Sequence, residues 1–183
     1  MVGKCIVLYQ SNLLTVLMRA VSWPGDGVLA PLLLVTLAFT LIYLRNKDKV
    51  FALVLVLATL FGEVVKYLLK NFYQIPRPGT FGCNVLTTYA DKYSLPSGHT
   101  VFYTIFFGLL VYYSVKHIRE LWAKLVFPVS LTLILLVGYS RIYLGTHWYL
   151  DVVVGYVIGA AILAVAILVY EYWVKKGKKN DSH

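Results

Sequence analysis

The stretch PSGH, residues 96–99, places three residues that could take part in a reaction next to one another: Ser97, Gly98 and His99. Ser97 and Gly98 precede a long apolar segment, so their backbone N–H groups would lie at the start of a helix, where anions bind. Gly98 has no Cβ and lets the backbone approach a ligand closely. His99 can give a proton to a reacting oxygen or take one from it. The stretch therefore indicates a helix-capping turn, an anion site with an acid–base group, or both.

His147 and Asp151 form a second candidate pair, four residues apart. If both lie in one helical turn, their side chains share a face. A carboxylate that accepts a hydrogen bond from one imidazole nitrogen fixes the tautomer and leaves the other nitrogen as a nucleophile. Alone, the pair is equally well explained as a polar helix cap. Together with His99, it would allow a double-displacement phosphoryl transfer without a metal ion.

Three cations, Lys70, Arg77 and Arg141, accompany these groups in the sequence. Arginine offers a planar fork of donors to phosphate oxygens, and lysine offers a mobile point charge. Arg141 alone would be better explained as a side chain that reaches to the membrane surface. Three cations with two histidines indicate a phosphate site.

The composition of the chain is typical of a membrane protein. Of its 183 residues, 60% are hydrophobic and 14% charged, and the mean hydropathy is +0.74. This length predicts a single domain over residues 1–183. The net charge of +9 comes from short basic clusters beside apolar runs, which set orientation, so no nucleic-acid partner is expected. Cys5 and Cys83 give only weak support for a disulfide or a metal site.

Five apolar segments approach the roughly 20 residues that a membrane-spanning helix needs. The last of them contains Gly155, Gly159 and Ala160, and small residues at this spacing favour close helix packing. The segments are Val28–Leu44, Val50–Leu69, Thr100–Val115, Leu125–Tyr139 and Val152–Val174.

Residues 5–22 are apolar on one side only, and we interpret them as an amphipathic helix lying at the membrane interface, with a sixth span as the alternative. Polar residues within this run also argue against a cleavable signal. WPGDG, residues 23–27, is a turn by composition. The sequence thus predicts an all-α membrane protein, a polytopic bundle of five to six transmembrane helices with an amphipathic N-terminal helix.

Basic clusters at residues 45–49, 116–124 and 175–179 fall on one side of a five-span arrangement, which the positive-inside rule makes cytoplasmic. The other side then holds residues 71–99 and 140–151. Ionisable groups at the ends of spans are costly and usually functional. Four different helix ends are expected to bring such groups to that face: Lys70, His99, Arg141 and Asp151.

The three polar stretches together resemble the signature of the type 2 phosphatidic-acid phosphatase superfamily, which also includes vanadium-dependent haloperoxidases. The family pattern is K-x6-RP, then PSGH, then SR-x5-H-x3-D, and residues 70–151 match it in full and in order. The flanking spans fit the membrane branch of the family. The ordered triple is much more specific than any one of its motifs.

The resemblance implies a role for each matching residue. His147 would be the nucleophile that forms a phosphohistidine, Asp151 would orient it, and His99 would be the general acid for the leaving group. The implied phosphate-binding residues are Lys70, Arg77, Ser97, Gly98 and Arg141. The resemblance implies no metal ion or other cofactor.

These expectations describe a metal-independent lipid phosphatase acting on a lipid phosphate or pyrophosphate at the outer, periplasmic face of a bacterial or archaeal cell membrane. Small family members are associated with undecaprenyl pyrophosphate, phosphatidylglycerol phosphate, phosphatidic acid and lipid A. Short outer loops leave little room for an elaborate head-group pocket, and we favour undecaprenyl pyrophosphate. Many members carry a second basic residue just before the RP, where this chain has Ile75 and Pro76; the departure bears on head-group preference.

Some alternatives stay open at the level of the sequence. The same residues would suit vanadate-dependent halide oxidation, or a non-enzymatic lipid-phosphate binder or transporter. Glu63 and Lys66 lie three residues apart within the second predicted span, with Lys70 on the same stripe. They are expected to form a buried ion pair, or else to steer phosphate or tune Lys70. The sequence does not predict an oligomeric state.

Overall fold

The structure is a computed structural model that describes residues 10–45, 47–88, 91–117 and 123–180. Within these ranges there are six α-helices, and the only β-type pairing is an isolated bridge between Pro76 and Tyr93. A π-helical turn, Leu41–Arg45, extends α2. The predicted all-α class is confirmed. The helices are α1 Asn12–Ser22, α2 Leu29–Thr40, α3 Lys49–Tyr73, α4 Gly98–His117, α5 Ala123–Tyr143 and α6 Tyr149–Asn180.

Four of these helices, α3 to α6, are long and apolar enough to cross a membrane. The segments Asn12–Gly25 and Leu29–Leu44 are bent by 60° and give a fifth crossing if the pair counts as one span. Large apolar side chains such as Leu33, Leu57 and Leu168 are more than half exposed, as contact with lipid requires. The chain is an integral membrane protein, and its bundle reaches the lower limit of the predicted five to six helices when the bent pair counts as one span.

Helix α1 is a short amphipathic helix, as the sequence predicts. It begins after Ser11, whose Oγ accepts a hydrogen bond of 3.2 Å from Leu14 N. With 11 residues it has a length of about 16 Å, roughly half the hydrocarbon thickness. Met18 is buried against α5, whereas Leu13 and Val16 point outwards. The described residues therefore do not form the alternative sixth span.

Helix α4 lies at the centre of the bundle. In its spanning segment 67% of the residues are buried, compared with 22–33% for α3, α5 and α6. A helix surrounded by neighbours is expected to be apolar on every side, and Phe102, Tyr103 and Ile105, on three different faces, are all buried. The first turn of this central helix, which begins at Gly98, therefore lies where the other helices meet.

Glycines allow α6 to pack closely on α4. A Cβ at Gly155 would collide with Thr100 Oγ1 and lie 2.9 Å from Ser97 O. A Cβ at Gly159 would lie 2.7 Å from the Cβ of Thr104, one turn further along α4. The predicted small-residue contact is confirmed at both glycines. It is wrong for Ala160, which is exposed because it lies on a different face of α6.

Substituting Gly155 by alanine is expected to destabilise the bundle by about 1–3 kcal/mol, because the added methyl group overpacks a contact with helix backbone. Thermal unfolding in detergent should show a lower Tm, with reduced turnover because Ser97 must shift. Gly177→Ala is the matched control, since a Cβ there meets no atom within 4 Å. Equal Tm values for the two variants would contradict the role of Gly155.

The helix directions place the C-termini of α3 and α5 at the same end of the bundle as the N-termini of α4 and α6. The opposite end carries exposed lysines that include Lys49, Lys116 and Lys175. Residues 46 and 118–122 of the predicted basic clusters lie outside the described residues. Cys83, in the loop between α3 and α4, is disulfide-bonded, which the cysteine spacing had not indicated. The other cysteine of the sequence, Cys5, lies outside the described residues.

Candidate active site

Arg77 is buried and connects the α3–α4 loop to the segment before α6. Its Nε donates to Asp91 O at 2.7 Å, and its NH1 donates to Thr146 O at the same distance. The same NH1 lies 3.4 Å from Nε2 of His147. These contacts hold a guanidinium charge beside one ring nitrogen of the predicted nucleophile.

Lys70 lies in the last turn of α3 and is also buried. Its Nζ donates to Asp91 Oδ2 at 2.6 Å and to Tyr93 O at 3.1 Å. Partial burial tends to raise the pKa of Asp91, but the hydrogen bond and charge of Lys70 outweigh it, so the pKa lies below the usual range. Asp91 is therefore an ionised partner of Lys70, and no motif had indicated it.

The first turn of α4 contains an unsatisfied polar group. Ser97 is fully buried, and its Oγ has no hydrogen-bond partner among the described residues. Its backbone N donates to Asp151 O at 3.0 Å, which fixes the start of α4 against the start of α6. A Cβ on Gly98 would lie 2.7 Å from Lys66 Cδ. A buried hydroxyl beside a helix N-terminus that makes no hydrogen bond within the described residues can donate one to an anion.

Arg141 and His99 approach each other from α5 and α4. Arg141 Nε donates to Thr146 Oγ1 at 3.1 Å, and its NH1 lies 3.1 Å from His99 Nε2. Asp26, from the turn before α2, places Oδ1 2.8 Å from the same His99 Nε2 and 3.5 Å from Arg141 NH1. The sequence predicted the two basic groups but assigned Asp26 only to a turn.

His147 is buried between a carboxylate and an arginine. Its Nδ1 lies 3.4 Å from Asp151 Oδ2, too poorly aligned for a hydrogen bond here, and that oxygen accepts one from Trp148 N at 2.8 Å. Burial, and the charges of Arg77, Arg141 and Lys70, lower the pKa of His147 well below 6.5. The ring is therefore neutral at neutral pH, with Nδ1 facing the carboxylate and Nε2 facing the cations.

The structure brings all eight predicted site residues to one end of the bundle. Thr146 joins the two halves of the site, because its carbonyl binds Arg77 and its hydroxyl binds Arg141. Sequence reasoning missed two carboxylates, Asp26 and Asp91. Asp26 lies in the turn before α2 and Asp91 in the α3–α4 loop, each beside a predicted site residue, and only their position in the fold distinguishes them from ordinary loop residues.

Glu63 and Lys66 form the predicted ion pair on α3, but the pair is not buried. The side chain of Glu63 is 49% exposed and that of Lys66 20%, because the pair lies at the edge of the α3 surface that packs on α4. The stem of Lys66 instead packs against Gly98. This contact brings a fourth cation to the edge of the site and favours the interpretation in which Lys66 acts on an incoming phosphate.

Comparison with known proteins shows a consistent group of relatives. Residues 51–175 match the family model of the PAP2 superfamily. Phosphatidylglycerophosphatase B of Bacillus subtilis is 28% identical over 161 residues, which cover 86% of this chain and 76% of the relative. Dolichyldiphosphatase of Saccharomyces cerevisiae is 32% identical over 132 residues, or 69% of this chain. Undecaprenyl-diphosphatase of Sulfolobus acidocaldarius is 31% identical over 134 residues, or 71% of this chain. The matches span 55% and 59% of the yeast and Sulfolobus relatives.

Two solved structures share the architecture. The transmembrane PAP2-type phosphatidylglycerolphosphate phosphatase from Bacillus subtilis superposes with a TM-score of 0.77 at 24% identity, covering 91% of this chain and 79% of that one. This likeness is one of fold. Aquifex aeolicus LpxE superposes with a TM-score of 0.64 at 29% identity, covering 86% of this chain and 87% of that one.

Proposed function

Because the chain belongs to the PAP2 superfamily and is a phosphatase of lipid phosphates, we propose that it works through a phosphohistidine on His147 without a metal ion. The observation that carries this proposal is the environment of the His147 ring. Nδ1 faces Asp151 at 3.4 Å, and Nε2 lies 3.4 Å from Arg77 NH1 on the cationic side. A neutral imidazole held in this way presents the lone pair of Nε2 to a bound phosphate.

In the first step, His147 Nε2 attacks phosphorus and the bond from phosphorus to the leaving oxygen breaks. His99 protonates that oxygen, and the product is the lipid alcohol, or a lipid monophosphate if the substrate is a pyrophosphate. Asp151 accepts the Nδ1 proton in a hydrogen bond and stabilises the charge that develops on the ring. A small rotation of either side chain would align this hydrogen bond, and such contacts are often long before substrate binds.

In the second step, water attacks the phosphohistidine. His99, neutral after the first step, takes a proton from the water, and the electrons of the P–N bond return to His147. Inorganic phosphate is released. Both steps use the same two histidines in complementary roles.

The fixed cations take the part that a metal ion has in other phosphatases. Lys70, Arg77 and Arg141 are all buried. Arg77 lies beside His147 Nε2 and Arg141 beside His99 Nε2, at the end of the bundle where Ser97 precedes α4. Charge spread over the equatorial oxygens of a transferring phosphoryl group is stabilised by such preorganised donors.

Undecaprenyl pyrophosphate is the substrate we favour, followed by phosphatidylglycerol phosphate; phosphatidic acid and lipid A are further candidates. Two of the relatives are named for polyprenyl diphosphates and one for phosphatidylglycerophosphate. The α5–α6 loop at this end of the bundle, residues 144–148, is short, whereas the α3–α4 loop spans residues 74–97. The names of the relatives therefore carry the choice of a diphosphate. The lipid tail would lie along the exposed apolar helix faces while the phosphate reaches the cations.

We place the site at the outer face of a bacterial or archaeal cell membrane. Exposed lysines at the opposite end of the bundle support this orientation through the positive-inside rule. The disulfide at Cys83 gives independent support, because disulfides persist in oxidising compartments and are rare in the cytosol. Halide oxidation and simple lipid-phosphate binding are less well supported, since the relatives carry phosphatase names.

Phosphate release from the four candidate lipids in detergent tests this proposal. We expect the highest kcat/KM for undecaprenyl pyrophosphate, and no loss of activity in excess EDTA because the protein itself supplies the charge. Activity that EDTA abolishes and a divalent cation restores would contradict the metal-free mechanism. A clear preference for one of the monoesters would contradict the substrate assignment alone.

A further inference from the structure

Asp26 contacts His99 although it belongs to none of the motifs. Its Oδ1 lies 2.8 Å from His99 Nε2, and its side chain is half exposed towards a cavity of about 320 Å³ that Arg19 and Arg141 also line. Burial alone would raise the pKa of Asp26, but the hydrogen bond and charge of His99, with the charge of Arg141, lower it. The carboxylate is therefore ionised and faces the predicted general acid.

The turn that carries Asp26 is built to lie against His99. A Cβ at Gly25 would lie 2.7 Å from His99 Cδ2, so only glycine allows this approach. Gly27 has a φ of +63°, which other residues rarely adopt. Hydrogen bonds fix the end of α1, the helix before the turn, to two other helices. Ser22 Oγ lies 2.8 Å from Ser140 Oγ of α5, and the Tyr103 hydroxyl of α4 donates to Val21 O.

Two side chains compete for His99 Nε2. Arg141 NH1, at 3.1 Å, can only donate a hydrogen bond, so it favours a ring whose Nε2 carries no proton. The Asp26 carboxylate can only accept one, so it favours a ring whose Nε2 is protonated. Burial of the His99 ring, whose side chain is 14% exposed, disfavours the imidazolium, and so does the charge of Arg141 at 3.1 Å. Asp26 is the opposing negative charge.

We propose that Asp26 is the positioning residue of the general acid: its carboxylate accepts the Nε2 proton of His99 and favours the imidazolium against burial and the charge of Arg141. The inference rests on the proposed function. Asp151 faces Nδ1 of His147, opposite the attacking nitrogen, whereas Asp26 contacts the reacting Nε2 of His99 itself. When substrate binds, the leaving oxygen takes the Nε2 proton as its bond to phosphorus breaks, and His99 is left neutral. The Asp26 carboxylate, which is half exposed, moves away from Nε2 so that the leaving oxygen can occupy its hydrogen-bonding position.

This role predicts a dependence on the leaving group. Without the carboxylate, Arg141 would donate to Nε2 and His99 would be neutral at the start of the reaction. A leaving alkoxide needs the lost proton, whereas a nitrophenolate leaves without it. General acid catalysis contributes about 10²–10⁴-fold, so only the first kind of substrate should suffer a loss of this size.

The test compares octyl phosphate with 4-octyl-2-nitrophenyl phosphate, which have the same apolar tail. We expect Asp26→Asn to lower kcat for octyl phosphate by about 10²-fold or more and to affect the nitrophenyl substrate far less. Retained nitrophenyl turnover also shows that the variant folds. His99→Ala should show the same split between the two substrates.

Asp26→Glu is the second variant, because it keeps the charge and should hold the two turnover numbers close to their wild-type ratio. Equal losses on both substrates in Asp26→Asn, no loss on either, or an Asn-like split in Asp26→Glu would overturn the inference. A wild-type protein that hydrolyses neither substrate would instead count against the proposed function.

Discussion

Replacing His147 by alanine is expected to lower kcat for lipid phosphate hydrolysis by about 10⁴-fold or more, as loss of a covalent nucleophile does. The side chain is buried and its Nε2 faces the cations, so no neighbouring group can replace it at phosphorus. Water held by the remaining site would give only residual activity. Initial rates of phosphate release from undecaprenyl pyrophosphate in detergent measure the loss.

A second readout identifies the intermediate. Wild-type protein mixed with substrate labelled in its terminal phosphate should retain label on His147 after a rapid alkaline quench, and His147→Ala should retain none. His117→Ala is the matched control, because position 117 ends α4 at the opposite end from His99. Label on another residue, or His147→Ala activity close to wild type, would disprove covalent catalysis at this position.

Asp151→Asn is expected to lower kcat by about 10³–10⁴-fold while leaving KM nearly unchanged. The substitution preserves size, so the 3.0 Å bond from Ser97 N to the backbone carbonyl at position 151 should remain. Its amide can donate to His147 Nδ1, which would move the ring proton to Nε2. The nitrogen that faces phosphate would then have no lone pair for attack.

Asp48→Asn provides the control for removing a carboxylate at a helix start. Asp48 caps α3 at the opposite end of the bundle, where its Oδ1 accepts a 2.9 Å hydrogen bond from Phe51 N, and asparagine caps helices equally well. Steady-state kinetics with thermal unfolding would separate catalysis from stability. A Tm loss in Asp151→Asn large enough to explain the rate, or an unchanged kcat, would contradict the orienting role.

The helices and the motif residues could be predicted because both follow from patterns of neighbouring residues along the sequence. Long apolar runs specify spanning helices whatever surrounds them. The structure lengthens three predicted segments by a few residues, as from Val50–Leu69 to Lys49–Tyr73, extends the last to Tyr149–Asn180, and replaces the end of the first by a π-helical turn. The ends of those helices then bring Lys70 and His99 together. Placing them needed only the number and direction of the spans.

Contacts between segments were predicted less well. Gly155 and Gly159 face α4 but Ala160 does not, since small size alone does not say which face of a helix meets a neighbour. The Glu63–Lys66 pair forms because three-residue spacing on a helix dictates it, but its exposure depends on where α4 lies.

The amino-acid sequence alone specified the membrane class, the expected chemistry of the motif residues and the end of the bundle at which they meet. Which charges neutralise those residues depended on the fold. Asp91 binds Lys70, and Asp26 binds His99 across 73 residues of sequence. Electrostatic pairing acts through space over a few ångströms, so a carboxylate in a turn shows no local pattern until the fold places a cation or an imidazole beside it.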